Sequence, residues 1–91
     1  MMSCWVPCII EPGLFSQERI ITITLANGQL VSLFGDIGIL KEHEGRYYLS
    51  TTYVKDEMMD GIPVARVLLP DECEPTLTRW VAVKREDILY V

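Results

Sequence analysis

The sequence has no apolar run approaching the roughly 20 residues that a membrane-spanning helix requires. No stretch keeps the apolar rhythm of a helix for more than about a turn and a half. Positive charge is scarce: 8 Lys and Arg stand against 13 Asp and Glu, for a net charge of −5. Nucleic-acid affinity rests largely on Lys and Arg displacing counterions from phosphate. The one basic cluster, Arg79 with Lys84-Arg85, is cancelled at once by Glu86-Asp87. No nucleic acid and no anionic membrane surface is expected as a partner.

Soft metal ligands and nucleophiles are also few. The cysteines are Cys4, Cys8 and Cys73, and the only histidine is His43. An odd count leaves at least one thiol unpaired within the chain. If residues 4–8 are extended, Cys4 and Cys8 lie roughly 13 Å apart, beyond disulfide reach. Cys4-x3-Cys8 is not a zinc knuckle, and no second pair follows it. His43, between Glu42 and Glu44, reads as a surface histidine. Nothing brings a thiol to it to form a nucleophile–base pair, and "GDIG" (35–38) is too little glycine for a phosphate cradle. No metal, cofactor or catalytic activity is expected. The N-terminal "MMSCWVPCII" lacks a basic n-region and is interrupted by Pro7, so it reads as the start of the fold rather than a leader, with the cytoplasm as the expected compartment.

What the chain does have is β-forming sequence. It is 49% hydrophobic and 23% charged, too apolar for disorder. Its 91 residues are expected to form one domain, residues 1–91, burying roughly 60–65% of the unfolded surface. "RIITITLA" (19–26) alternates and is rich in β-branched residues; Asn27-Gly28 follows, and "QLVSLFG" returns. A two-residue type I′ turn at Asn27-Gly28 predicts that Leu25 faces Leu30, Ile23 faces Ser32 and Ile21 faces Phe34. That register puts Ile21, Ile23, Leu25, Leu30, Ser32 and Phe34 on the core side. Thr22, Thr24, Val31 and Leu33 then take the other side.

Further strands are expected at 4–10, with Pro7 demanding an edge or a bulge, and at 46–55, 62–70 and 79–83. A short one is expected near 37–41. "DEMMDG" (56–61) reads as a turn and "DECEPTL" (71–77) as an acidic loop. The ending reads as a strand, a tight turn at "KRED" and a final short strand, "ILYV". Short strands with a turn every eight to twelve residues indicate a sandwich or barrel, and a barrel removes most edges.

The ending "WVAVKREDILYV" resembles the close of an SH3-like barrel, in which a strand runs through a one-turn 3₁₀ helix into a short final strand. The hairpin at 19–35 suits the same architecture. The resemblance implies an all-β fold: a small SH3-like barrel of five to seven short antiparallel strands with a 3₁₀ turn near the C-terminus. The Ala-Leu-Tyr-Asp-Tyr-type opening of signalling SH3 domains is absent from "CWVPCII", so their peptide-binding residues are not carried over, and activity stays open.

The expected function is therefore a non-enzymatic interaction module. Met58 and Met59, held between acids at an apparent loop tip, bury little in their own domain. With Tyr48 and Tyr53 they form the expected partner-binding set. Asp56, Glu57 and Asp60 would steer a partner that is another protein, a basic one, or a second copy. The alternatives are an acidic inhibitor or immunity-type protein of a basic target, and an enzyme or metal protein of unknown type.

Overall fold

The structure, a computed structural model, describes residues 2–90. It is all-β, an antiparallel sheet of seven strands curled into a half-barrel. The strands are β1 (Met2–Pro12), β2 (Glu18–Thr24), β3 (Leu30–Asp36), β4 (Leu40–His43), β5 (Arg46–Met59), β6 (Ile62–Cys73) and β7 (Thr78–Lys84). Their order is β3-β2-β1-β5-β6-β7, with β4 paired to β5. Among the described residues no helix is long and apolar enough to cross a membrane.

Two long strands carry the curl. β1 pairs with β5 through Met2–Cys8 and then with β2 through Ile9–Pro12, so it turns the corner between the two halves of the sheet. Pro7 sits at that corner. The edge of β1 that faces away from β5 bonds Leu89 at Trp5 and pairs with β2 only from Ile9 onward. The donor that proline lacks therefore falls in a gap where no acceptor waits. β5 pairs along one edge first with β4 and then with β6, and its register to β6 shifts at Val54.

The ending follows the expected order. β7 feeds a 3₁₀ turn at Arg85–Asp87, and Leu89 then exchanges two backbone hydrogen bonds with Trp5, at 2.8 and 2.9 Å. The return is a single bridge; Val91, the last residue of the expected strand, lies outside the described residues.

The β2–β3 hairpin corrects the predicted register by one residue. Its loop has three residues, Ala26, Asn27 and Gly28. The Gly28 N–H donates to the Leu25 carbonyl (2.9 Å), and the Leu25 N–H donates to the Gln29 carbonyl (2.8 Å). Gly28 takes the left-handed position with φ +88°, where a side chain would be strained. The loop is thus a turn followed by a one-residue bulge. Two bonds favour it: the Asn27 side chain accepts from the Gln29 N–H (2.9 Å), and the Ala26 N–H reaches the Ala82 carbonyl of β7 (2.9 Å).

Ile21 therefore faces Leu33 and Ile23 faces Val31, while Leu30 and Phe34 pair with Thr24 and Ile20. A one-residue slip exchanges the faces of a strand. Val31 and Leu33 are buried with Ile21 and Ile23, while Leu30 and Phe34 face solvent. The core is completed by Cys4 and Val6 of β1, Leu49 of β5, Ala65, Val67, Leu69 and Cys73 of β6, and Val81 and Val83 of β7.

The expected turn at 56–61 is also mostly strand. β5 continues to Met59, and only Asp60-Gly61 turns, both with positive φ (51° and 80°), as a type I′ turn demands. The same turn type joins β4 to β5 at Glu44-Gly45. β6 likewise runs on into the first half of the expected acidic loop, to Cys73, and residues 75–77 turn as expected. Polar composition misleads in these places because an exposed strand face tolerates charge as readily as a loop does.

Candidate functional site

The residues expected to bind a partner do not form one surface. Met58 is 67% exposed and Met59 half-buried, and both lie on β5 beside the Asp60-Gly61 turn rather than at a loop tip. Tyr53 is half-buried, packs on the core and meets the Tyr90 ring edge-on, with centroids 6.3 Å apart. Its hydroxyl donates to the Asp56 carboxylate, which raises its pKa. Tyr48 is a correction: it is 8% exposed, with the His43 ring edge-on at 6.3 Å and the Arg46 guanidinium above it at 5.9 Å. Ten residues of strand put Tyr48 roughly 33 Å from Met58.

Two of the three expected steering acids, Asp56 and Glu57, are engaged within the chain. Asp56 pairs with Arg85 at 3.5 Å. Glu57 pairs with Lys55 at 3.1 Å and Arg66 at 3.2 Å. Lys55 first, then Arg66, holds the Glu57 carboxyl below the usual carboxylate range against the opposing effect of burial. Arg66 in turn lies over the Trp80 ring at 5.8 Å. Asp60 remains exposed, in the turn.

All three cysteines are free thiols. Cys4 and Cys73 are buried; Cys4 shares a hydrogen bond with the Thr51 hydroxyl (3.1 Å), and Cys73 with Thr76 (3.2 Å). Burial raises the pKa of Cys4, with the Thr51 bond opposing it, and pushes Cys8 up to about 11. Among the described residues no group of three metal-ligating side chains converges.

The corrected register exposes a surface that the sequence reading missed. On the outer face of β1–β3 the pairing sets three rows. The central row is Ile9, Thr22 and Ser32. One flanking row is Glu11, Ile20 and Phe34; the other contains Thr24 and Leu30. Ile9 is 71% exposed, Leu30 61% and Phe34 57%. The hydroxyls of Thr22 and Ser32 bond each other at 2.9 Å in the middle of the face. Glu11 stands at one corner, Glu74 extends the central row through its bridge to Ser32, and Glu18 paired with Asp36 forms the next row, so the apolar side chains have an acidic rim.

Beside this face, where β1 turns its corner, a shallow groove runs between Ile9, Leu30 and the ring of Tyr47, with Arg46 at its rim. One signal in the sequence pointed to this surface: Asn-Gly also serves as the last two positions of a three-residue loop, a choice that turns Phe34 outward. Comparison with family models finds no match for this chain, and comparisons with curated proteins and with solved structures find none either.

Proposed function

We propose that this protein is a non-catalytic protein-binding module whose docking surface is the outer face of β1–β3. One observation carries the reading: Ile9, Leu30 and Phe34 stand exposed on the same side of three paired strands, around the Thr22–Ser32 hydroxyl pair, with Glu11, Glu74 and the Glu18–Asp36 pair as an acidic rim. Burying such side chains stabilises a contact by about 25 cal/mol per Å². Contiguous apolar surface of this kind marks interaction sites. The Met58 end of β5 is the weaker candidate, because the charges around it already neutralise one another.

Affinity capture from the native cell tests the reading, with Phe34→Glu and Met58→Glu baits beside the wild type. The capture of partners is expected to fail with Phe34→Glu and to survive with Met58→Glu. Partners retained by the Phe34 variant and lost by the Met58 variant would reverse the assignment.

A further inference from the structure

We propose that the outer face of β1–β3 docks a basic protein surface, one with large apolar side chains at its centre and Lys and Arg around them. The proposal rests on the docking-face reading above and names the chemistry of the occupant.

Charge complementarity argues for it. Carboxylates stand on three sides of the apolar centre. Glu11 lies on the β1 side, Glu74 on the opposite side through its bridge to Ser32, and the Glu18–Asp36 pair closes one end. Among the described residues none of these four acids is in an ion pair. Two of them are held in place by backbone N–H groups: Glu18 accepts from Leu14 at 2.9 Å and Asp36 from Gly38 at 2.7 Å. Such bonds fix a carboxylate without cancelling its charge. Arg19, next to Glu18 in the chain, turns its Nη1 to the carbonyls of Ser16 and Glu18 rather than to a carboxylate. The remaining end, at the groove, carries one charge of each sign, Arg46 and Asp87.

Possible occupants differ in what they do to this rim. A neutral apolar surface seated on Ile9, Leu30 and Phe34 strips water from the carboxylates and offers no partner in exchange. A second copy of the chain, with a net charge of −5, sets acid against acid. A basic surface turns the same rim into an attraction that steers the approach and fixes orientation. The apolar side chains at the centre then hold the contact. The acids on β5 offer the contrast. Asp56 and Glu57 already pair with Arg85, Lys55 and Arg66, which leaves little field for a partner to follow.

A random-sequence peptide library displayed on phage tests this, selected on the wild type and counter-selected on Phe34→Glu. That variant removes an apolar anchor and adds an acid. A peptide held by charge alone binds it at least as well as the wild type, so loss of binding marks peptides that use the face. The expected face-dependent peptides combine large apolar residues with Lys or Arg. A synthetic peptide of the selected sequence should shift the amides of Ile9, Thr22, Ser32 and Phe34 and bind more weakly as salt rises. Glu11→Gln/Glu74→Gln leaves the apolar side chains untouched and should weaken it about three- to tenfold, the range for two exposed charge pairs. Leu30→Ser should weaken it as well, and circular dichroism on each variant checks that the strands persist.

Face-dependent peptides that are neutral or acidic would overturn the basic partner and leave the docking face standing. Affinity indifferent to salt and to the Glu11→Gln/Glu74→Gln variant would do the same. A selection that yields only peptides binding Phe34→Glu and Leu30→Ser as well as the wild type would place the contact elsewhere and overturn the docking face itself.

Discussion

The outer surface of the curled sheet differs between its two halves. Over β5–β7 it is laced with charge: Lys55 and Arg66 face each other across paired strands, and Glu57 bonds both. Like charges directly opposite destabilise a sheet, so Glu57 makes an otherwise repulsive pair tolerable, and Arg66 also shields the Trp80 ring. Over β1–β3 the same alternation of side chains puts out Ile9, Leu30 and Phe34 with no ion pair among them. Charged, mutually paired side chains keep an exposed sheet face solvated and discourage other chains from packing on it. The contrast separates a half whose outer charges pair with one another from a half whose outer face leaves large apolar side chains exposed.

The comparison depends first on the hairpin register, and the largest expected effect tests it. Leu33→Ala should cost about 2–5 kcal/mol, the usual range for a buried leucine, whereas Phe34→Ala should cost under about 1 kcal/mol. Urea denaturation of the two variants measures both. The opposite ranking would return Phe34 to the core and erase the apolar outer face.

A smaller effect is expected at the turn that sets that register. Gly28 has φ +88° and open space around it, so Gly28→Ala should cost about 1–2 kcal/mol through backbone conformation alone. Thermal melts compare it with the wild type. A neutral result would mean that the loop is not the three-residue form.

On the charged half, Glu57→Gln should lower the denaturation midpoint modestly, more so at low salt, by leaving Lys55 opposite Arg66 unbridged. Its pH dependence has a definite sign. The folded carboxyl titrates below its ordinary value, so its contribution is complete above that value and fades as pH falls through the folded one. The gap between wild type and variant should therefore close in acid, as followed by denaturation midpoints along a pH series.

The smallest effect concerns Cys8, at the corner between the halves. With its thiol pushed up to about 11, native Cys8 should alkylate more slowly than a free thiol at neutral pH, and readily only as pH approaches that value. Mass spectrometry of iodoacetamide-treated protein at several pH values follows it. Rapid labelling at neutral pH would mean that the corner is open to water.

The hairpin register and the turn expected at 56–61 failed for related reasons. Asn27-Gly28 fits both a two-residue and a three-residue loop. The choice rested on a bond to a carbonyl of β7, more than fifty residues away in sequence, from the Ala26 N–H to Ala82. "DEMMDG" reads as a loop because it is acidic, yet Asp56 and Glu57 lie on a strand and bond to Lys55, Arg66 and Arg85, two of which belong to other elements. Tyr48 was legible as a strand residue. Its burial was not, because His43 of β4 and Arg46 at the start of β5 cover it only once the β4–β5 hairpin has formed.

By itself the sequence determined the all-β class, the positions of most strands and the strand–3₁₀ ending. Those features follow from local terms: β-branched alternation, turn-forming residues and the distribution of apolar side chains. The tertiary structure alone decided which face of β3 in the β2–β3 hairpin meets water. That outcome turns on a single residue of register, and register is settled by long-range bonds and core packing rather than by any local preference.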